Sequence, residues 1–241
     1  MPTLWIQIVL IVALLGVAFY LLRARESARH LAIRRALVVI ALLLFAGRWV
    51  ATFLADRWWA LQFSPGAAAL VTEIHLLQLL LDAAGGVCAS AWFVGNLLTV
   101  ARAVGSVQVP RHVANIEFRE SVTPALLLAG AVGTGVVLGL LVGLDSSSYW
   151  PDVALAWHGV TYGITEPLLG RDAGVYVAQL PVWRALHAFA LLLVLVATAV
   201  VVGLYAVIGA VRVIGGRLAI NDHARAHVGW LLAALAACLG W

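Results

Sequence analysis

The sequence predicts an all-α membrane protein, a polytopic transmembrane helical bundle with about six membrane helices and interfacial amphipathic helices in one outer loop. Of its 241 residues, 64% are apolar and 11% are charged, whereas about 25% of a typical soluble domain is charged. The apolar residues form continuous runs of about twenty, the length of helix that crosses about 30 Å of hydrocarbon. Strands of a membrane barrel would alternate over about ten residues, so helices are expected to cross the bilayer.

The predicted helices fall in three consecutive parts of the chain. Residues 1–35 hold an added first membrane helix and a basic cytoplasmic loop, and the arginines follow the apolar run, opposite to their order in a cleaved signal peptide. Residues 36–121 hold two spans, an interfacial segment and a cytoplasmic loop. Residues 122–241 hold a glycine-striped span, an aromatic extracytoplasmic loop, a fifth span and an incomplete sixth span. The predicted helices occupy residues 4–22, 36–54, 67–100, 122–144, 185–211 and 227–241.

The arginines predict the orientation of the bundle. Three loops, 23–35, 101–121 and 212–226, hold 11 of the 15 arginines, and short cytoplasmic loops collect basic residues. The amino terminus is therefore expected outside the cytoplasm, in a bacterial inner membrane. The formal net charge of +4 suits anionic lipid headgroups, so membrane lipids are expected partners and nucleic acid is not.

A spaced motif lies in the outer loop between the fourth and fifth predicted spans. Its residues are Tyr162, Gly163, Glu166, Pro167, Gly170, Asp172, Tyr176, Leu180 and Pro181. Further matching segments are Ser148-Tyr149-Trp150, Ala224-Arg225-Ala226-His227 and, more weakly, Trp58-Trp59, Gly85-Gly86 and Asn96-Leu97. With these residues the chain resembles the front part of uncharacterised protein family 0182, large bacterial multi-pass membrane proteins.

The resemblance implies architecture rather than chemistry, because that family has no established activity. Its members are much longer, with further spans and a large extracytoplasmic domain, so the chain is expected to be the front part of a longer protein. Three features depart from the family pattern. Several of the family's phenylalanines are replaced here, by Leu169, Val175, Ala178 and Val182. Glu166 stands where an aspartate is usual, and the helix at 4–22 looks added.

Two ionisable residues in the predicted spans, Arg48 and Asp82, are the candidates for an intramembrane polar pair. Charged groups at this depth are costly and usually paired. The favoured interpretation is a pair that fixes helix register, and a proton or ion relay is the alternative. His75, Gln78 and Asp82 follow one another at spacings of three and four residues, which places them on one face of a helix.

Histidines and cysteines give little sign of a cofactor. His75 and His187 are embedded imidazoles without a second axial ligand at a recognisable spacing, and His223 and His227, at i and i+4, lack a zinc-protease pattern. The two cysteines, Cys88 and Cys238, lie at lipid depth, where a thiol is inert. No catalytic residue, metal or cofactor is therefore predicted, and the chain is not expected to be an enzyme.

The fourth predicted span carries a stripe of glycines for helix packing, Gly135, Gly139 and Gly143. Small residues at a spacing of four let two helix backbones approach closely. Packing inside the chain is favoured, with packing against another subunit as the alternative.

The outer loop is rich in aromatic residues, which are candidates for docking a partner. They are Trp150, Trp157, Tyr162, Tyr176 and Trp183. A lipid-facing collar is the favoured interpretation, because tryptophan and tyrosine prefer the headgroup level. A docking surface for a neighbouring protein is the alternative.

Two functions remain open from the sequence. The favoured one is a structural or accessory integral membrane subunit that packs against other membrane protein subunits of a larger assembly, with an energy-transducing complex among the options. The alternative is a channel, a transporter or an envelope-maintenance component, whose pathway would use Arg48, Glu73, Asp82 and Asn96.

Overall fold

The computed structural model describes residues 28–104, 112–113, 116–117, 124–159, 161–214 and 217–241. The first predicted membrane helix, at residues 4–22, lies outside the described residues. In the part that is described, helices dominate, as the composition predicts.

Six α-helices follow one another along the described chain. They are α1 (Ala28–Leu61), α2 (Pro65–Val104), α3 (Pro124–Gly143), α4 (Trp150–His158), α5 (Leu180–Val207) and α6 (Asp222–Gly240). A 3₁₀ turn, Ser146–Tyr149, precedes α4, and a π turn, Val175–Gln179, runs into α5. Two small antiparallel hairpins join helices: β1 (His112–Val113) pairs with β2 (Ile116–Glu117), and β3 (Val211–Ile214) pairs with β4 (Arg217–Ile220).

Among the described residues, four helical segments are long and apolar enough to cross a membrane. They are Leu31–Leu61, Pro65–Ala103, Ala125–His158 and Val175–Val207. They correspond to the second, third, fourth and fifth predicted spans. The sixth predicted span corresponds to α6, which has 19 residues and is not one of these four.

Several predicted boundaries were wrong. The helix of the second span ends at Leu61 instead of residue 54, and that of the fifth ends at Val207 instead of residue 211. Residues 28–35, predicted as part of a basic loop, belong to α1, because arginine is a good helix former and does not end a helix. The helix of the fifth span begins at Val175 instead of residue 185, and α6 begins at Asp222 instead of His227. There the Asn221 side chain caps α6 by accepting a hydrogen bond from the backbone N–H of His223 at 3.0 Å, a standard start for a helix.

The chain divides into two compact units, residues 1–76 and 77–241. In the first unit, α1 and the start of α2 are joined by a short turn. Ser64 ends that turn and its hydroxyl accepts a hydrogen bond from the N–H of Ala67 at 3.0 Å. Pro65 follows as the first residue of α2, where its missing N–H has no cost.

The core of the second unit is built from α2, α5 and α6. Its most buried large side chains are Phe93 on α2 and Val201 and Tyr205 on α5. Ala224 and Leu231 of α6 pack into the same cluster. Trp92 of α2 also donates its indole N–H to the carbonyl of Leu193 on α5, at 3.2 Å.

Candidate functional site

The predicted glycine stripe of α3 lies directly against α2. A Cβ atom added to Gly135 would lie 2.7 Å from the Cα of Val94, and one added to Gly143 would lie 2.5 Å from the backbone of Gly85. One added to Gly139 would overlap the backbone of Ser90. Real Cβ contacts are longer than these, so only glycine permits this approach. The glycines therefore let the two backbones touch along an antiparallel seam, and the partner helix belongs to the same chain.

A facing stripe on α2 completes this seam. Gly85 and Gly86, Ser90 and Val94 recur at intervals of about four residues, which places them on one helix face. Two other glycines of α3, Gly130 and Gly133, would have no atom within 4 Å of an added Cβ. The seam therefore uses one face of α3, and glycines elsewhere on that helix are open to substitution.

Asp82 lies one turn before the seam on α2 and binds the turn that follows the carboxyl end of α3. Its Oδ1 accepts a hydrogen bond of 2.7 Å from the backbone N–H of Ser147, in the 3₁₀ turn that follows α3. A hydrogen bond from a backbone N–H to a carboxylate is charge-assisted and stronger than one between neutral groups. The described role of Asp82 is thus to hold a turn, while its pairing with Arg48 stays a prediction.

His75, in the first unit, has acceptors at both ring nitrogens. Its Nδ1 donates to the carbonyl of Val71 at 2.9 Å, and its Nε2 lies 3.3 Å from Oδ2 of Asp56 on α1. The rings of Trp49 and Phe53 meet the imidazole edge-on. This arrangement ties α1 to the start of α2. The chain positions of His75 and Asp56 offered no pattern from which the pair could be predicted.

His187 binds the last turn of α6. Its Nε2 donates to the carbonyl of Cys238 at 2.8 Å, and its ring meets the indole of Trp241 edge-on at 5.3 Å. The last carbonyls of a helix lack partners within the helix, so His187 satisfies one of them. The thiols of Cys88 and Cys238 are both free.

A polar network joins α2, α5 and α6 in the core of the second unit. The amide nitrogen of Asn96 donates to the carbonyl of Trp92 at 2.8 Å. The amide oxygen of Asn96 accepts from Nε2 of His227 at 2.9 Å. The hydroxyl of Tyr205, which is fully buried, donates to Nδ1 of His227 at 3.0 Å. With these partners, the imidazole of His227 is neutral and carries its proton on Nε2.

The spacing of His223 and His227 at i and i+4 gave no hint of this network. The imidazole of His227 points to Tyr205 and Asn96, residues on two other helices. Tyr205 and Asn96 are separated from His227 by 22 and 131 positions. Only the packing of the three helices brings the side chains together.

The family-like motif between α4 and α5 folds as a compact hairpin, residues 162–174, called here the motif hairpin. Its strands meet at Thr165 and Asp172, and the N–H of Glu166 donates to the carbonyl of Arg171 at 2.8 Å. Gly163 and Gly170 have φ values of 68° and 62°, in the left-handed region that favours glycine. The two motif glycines are therefore explained by the backbone of the hairpin.

Asp172 closes the base of the motif hairpin. Its carboxylate accepts three backbone N–H groups, from Tyr162 at 3.0 Å, Gly163 at 2.8 Å and Gly174 at 2.7 Å. These bonds favour the charged form and hold the pKa of Asp172 below its usual range, with Tyr162 the largest cause.

Glu166 organises the tip of the motif hairpin. Its carboxylate accepts the N–H groups of Leu168 and Leu169, each at 2.8 Å, and the hydroxyl of Tyr176 at 3.0 Å. The N–H of Leu169 contributes most to a lowered pKa of Glu166, followed by that of Leu168. Tyr176 lies in the π turn that runs into α5, so this carboxylate also fastens the hairpin to the helix.

The five aromatic docking candidates differ in exposure. Trp157 is 82% exposed, and Tyr162 and Trp183 are each 56% exposed. Trp150 is half-buried at the start of α4, and half-buried Tyr176 is bonded to Glu166. Three of the five thus present their rings on the surface, whereas Tyr176 serves the hairpin itself.

A shallow depression of about 300 Å³ lies between the start of α4 and the start of α5. Tyr149, Asp152, Pro181 and Arg184 line it. It is open, whereas a ligand pocket usually encloses most of its ligand. The depression therefore does not define a small-molecule site.

These features define the class of protein: a helical membrane protein whose polar side chains, where described, hold its helices and the loop before α5 together. The chain belongs to the Uncharacterised protein family (UPF0182), whose family model matches residues 33–241. The resemblance predicted from the motif residues is thereby confirmed.

Three mycobacterial relatives illustrate the relationship. A UPF0182 protein of Mycobacterium leprae (strain TN) is 32% identical over 194 residues, and one of Mycobacterium ulcerans (strain Agy99) is 29% identical over 196 residues. Each alignment covers 79% of this chain and 19% of the relative. A UPF0182 protein of Mycobacterium tuberculosis (strain ATCC 25618 / H37Rv) is 28% identical over 195 residues. That alignment covers 80% of this chain and 19% of the relative. The chain thus spans about a fifth of the length of these curated relatives. No solved structure matches it.

Proposed function

We propose that this chain is a structural, accessory part of a larger membrane assembly, with no catalytic step of its own. The observation that carries the proposal is the use of the polar side chains in the second unit. Asp82 holds Ser147, His187 holds Cys238, and Asn96 is joined through His227 to Tyr205. Each of these contacts fixes one helix or turn against another.

A structural role explains why such polar groups are kept inside apolar helices. A polar group in hydrocarbon needs a partner, and hydrogen bonds between membrane helices stabilise their association. The three contacts join α2, α3, α5 and α6 at separate places in the second unit. These contacts hold the helices of the second unit together and leave apolar side chains on its surface. Such a surface is suited to packing against lipid and other membrane subunits.

The surface of the outer loop supports docking to such subunits. Trp157 and Trp183 expose large rings, and aromatic residues are enriched at the cores of protein interfaces. The arginine distribution supports placing this loop outside the cytoplasm and the protein in the bacterial inner membrane.

The alternative, a channel or transporter, requires polar groups that converge on a pathway. Transport sites typically sit where broken helices direct polar groups to one point near the middle of the bilayer. Of the four residues predicted for such a pathway, Asp82 is bonded to Ser147, and Asn96 is bonded to Trp92 and His227. These bonds favour the structural role.

Gentle extraction of the whole protein from its own membranes tests the proposal. We expect a large particle with stoichiometric protein partners, measured by native mass and composition. Replacing Trp157 and Trp183 by alanine should reduce the recovered partners several-fold, while Trp230→Ala, at an exposed position of α6, should not. A particle containing this polypeptide alone, and an ion flux in proteoliposomes that Asp82→Asn abolishes, would instead establish the transporter.

A further inference from the structure

The tip of the motif hairpin is strongly apolar and fully presented to the surroundings. Leu168 is 90% exposed, Leu169 is 71% exposed and Ile164 is 66% exposed. Adjacent exposed apolar side chains on one tight turn are costly in water, at about 25 cal/mol for each Å² of apolar surface. A turn built in this way is suited to contact with an apolar phase.

We propose that the motif hairpin is a membrane-inserting wedge, which places Leu168 and Leu169 in the interface of the outer lipid leaflet. The inference does not depend on the accessory role proposed above. It assigns a lipid surface, rather than a protein, as the partner of the exposed tip.

The attachment of the hairpin keeps its tip close to the membrane. The carboxylate of Glu166 is bonded to the hydroxyl of Tyr176, and Tyr176 lies in the first turn of the apolar helical segment Val175–Val207. Leu168 follows Glu166 by two residues, a reach of about 7 Å even for an extended chain. The interfacial layer on each side of the hydrocarbon is about 5–8 Å thick, so the tip is within reach of it.

The backbone N–H groups at the tip already have hydrogen-bond partners within the hairpin, as a medium with little water requires. Backbone N–H groups without partners are expensive in lipid. Here the N–H groups of Leu168 and Leu169 both donate to the carboxylate of Glu166, and the N–H of Gly170 donates to the carbonyl of Glu166 at 2.9 Å. These three N–H groups can therefore leave water without losing a hydrogen bond.

The surrounding residues favour lipid over protein as the partner. Tyr162, at the base of the hairpin, is exposed, and tyrosine rings prefer the headgroup level. Arg171 is exposed two residues after Leu169 and matches the charge of an anionic headgroup.

A fluorophore at the tip tests the proposal in the full chain. Cys88 and Cys238 are replaced by alanine, and Leu168→Cys or Leu169→Cys is labelled with an environment-sensitive dye. The protein is placed in nanodiscs of phosphatidylcholine and phosphatidylglycerol, and the dye is quenched by spin-labelled lipid or by aqueous iodide. Thr161→Cys, an exposed polar position beside the hairpin, is the matched control.

Insertion predicts that the labels at both leucines are quenched by spin-labelled lipid and are several-fold less sensitive to iodide than the label at position 161. Full iodide quenching at both leucines would show a solvent-exposed tip and overturn the proposal. Protection from both quenchers would also overturn it, because the tip would then be covered by protein, a second copy or another subunit. Because both leucine side chains are exposed, replacing either one removes little folded packing.

Discussion

Asn96 and His227, which stand 131 positions apart, share a hydrogen bond of 2.9 Å between Oδ1 and Nε2. The bond joins α2 to α6, and Tyr205 of α5 completes the network from the other side of the imidazole. Two segments that carry the family resemblance, Asn96-Leu97 and Ala224 to His227, therefore meet in space. The contact makes three helices one unit and gives the first prediction.

Asn96→Ala should destabilise the protein by about 1–2 kcal/mol, because it leaves the Nε2–H of His227 without its acceptor. Thr99→Ala is the matched control. Thr99 lies on the same helix, is exposed, and bonds only locally to the carbonyl of Gly95. Unfolding in detergent, followed by circular dichroism, measures both variants. Equal stability of the two variants would show that the network contributes nothing.

Gly139→Leu should separate α2 from α3, because its side chain would enter the space held by the backbone of Ser90. The expected loss is about 1–3 kcal/mol or more, as for other overpacked sites. Gly133→Leu, on the open face of the same helix, should change stability by about 0.5 kcal/mol or less. A crosslink between cysteines placed on α2 and α3 reports the seam directly. Undiminished crosslinking in Gly139→Leu would contradict the close approach.

The motif hairpin should open in acid. The pKa of Asp172 is lowered in the folded state, first by the N–H of Tyr162, so the unfolded hairpin binds a proton more readily than the folded one. The stabilisation is therefore complete above the unfolded pKa of about 4 and is lost as the pH falls through the lowered folded pKa. The protection factors for hydrogen exchange of the amides of Tyr162, Gly163 and Gly174 should fall over that range.

Asp172→Asn should weaken the same protection already at neutral pH and remove most of its dependence on acid. Asp152→Asn, outside the hairpin, is the control for a general effect of lost charge. If amide exchange in Asp172→Asn follows the same pH profile as in the parent protein, another group must be responsible for closing the hairpin.

Tyr176→Phe should free the hairpin from α5 without unfolding it. The substitution removes the hydroxyl that donates to Glu166, whereas the three bonds to Asp172 remain. Amide protection of Gly163 and Gly174 should be kept, and lipid quenching of a dye at position 168 should fall. Unchanged quenching would mean that the tip reaches lipid without this attachment.

Asp82→Ala should loosen the turn after α3, and Asp82→Asn should largely preserve it, because the amide oxygen can still accept the N–H of Ser147. A loss of about 1–3 kcal/mol is expected for the alanine variant. Proton flux in proteoliposomes provides the second readout. The structural role predicts the same flux for the parent protein and for Asp82→Asn, whereas a relay predicts that the asparagine variant loses it.

The sequence predicts the apolar helices well, because a span of about twenty apolar residues is a local property of the chain. It also identifies the glycines of α3 by their spacing, but not the face of α2 that they meet. Contacts such as His75 with Asp56, or Asn96 with His227, depend on how helices pair. The motif hairpin was not foreseen because its carboxylates bind backbone N–H groups, which leave no trace in residue patterns.

The repeat of small residues along both sides of the α2–α3 seam has a consequence for helix register. A slide of one helix by four residues, about 6 Å along the axis, would bring Gly139 opposite Val94 and Gly143 opposite Ser90, an arrangement that the backbones would accept almost equally well. The bond between Asp82 and Ser147 would be broken by that slide. The hydroxyl of Ser90 also donates to the carbonyl of Val136 across the seam, at 3.5 Å. The glycines thus permit more than one register, and these two hydrogen bonds select one of them.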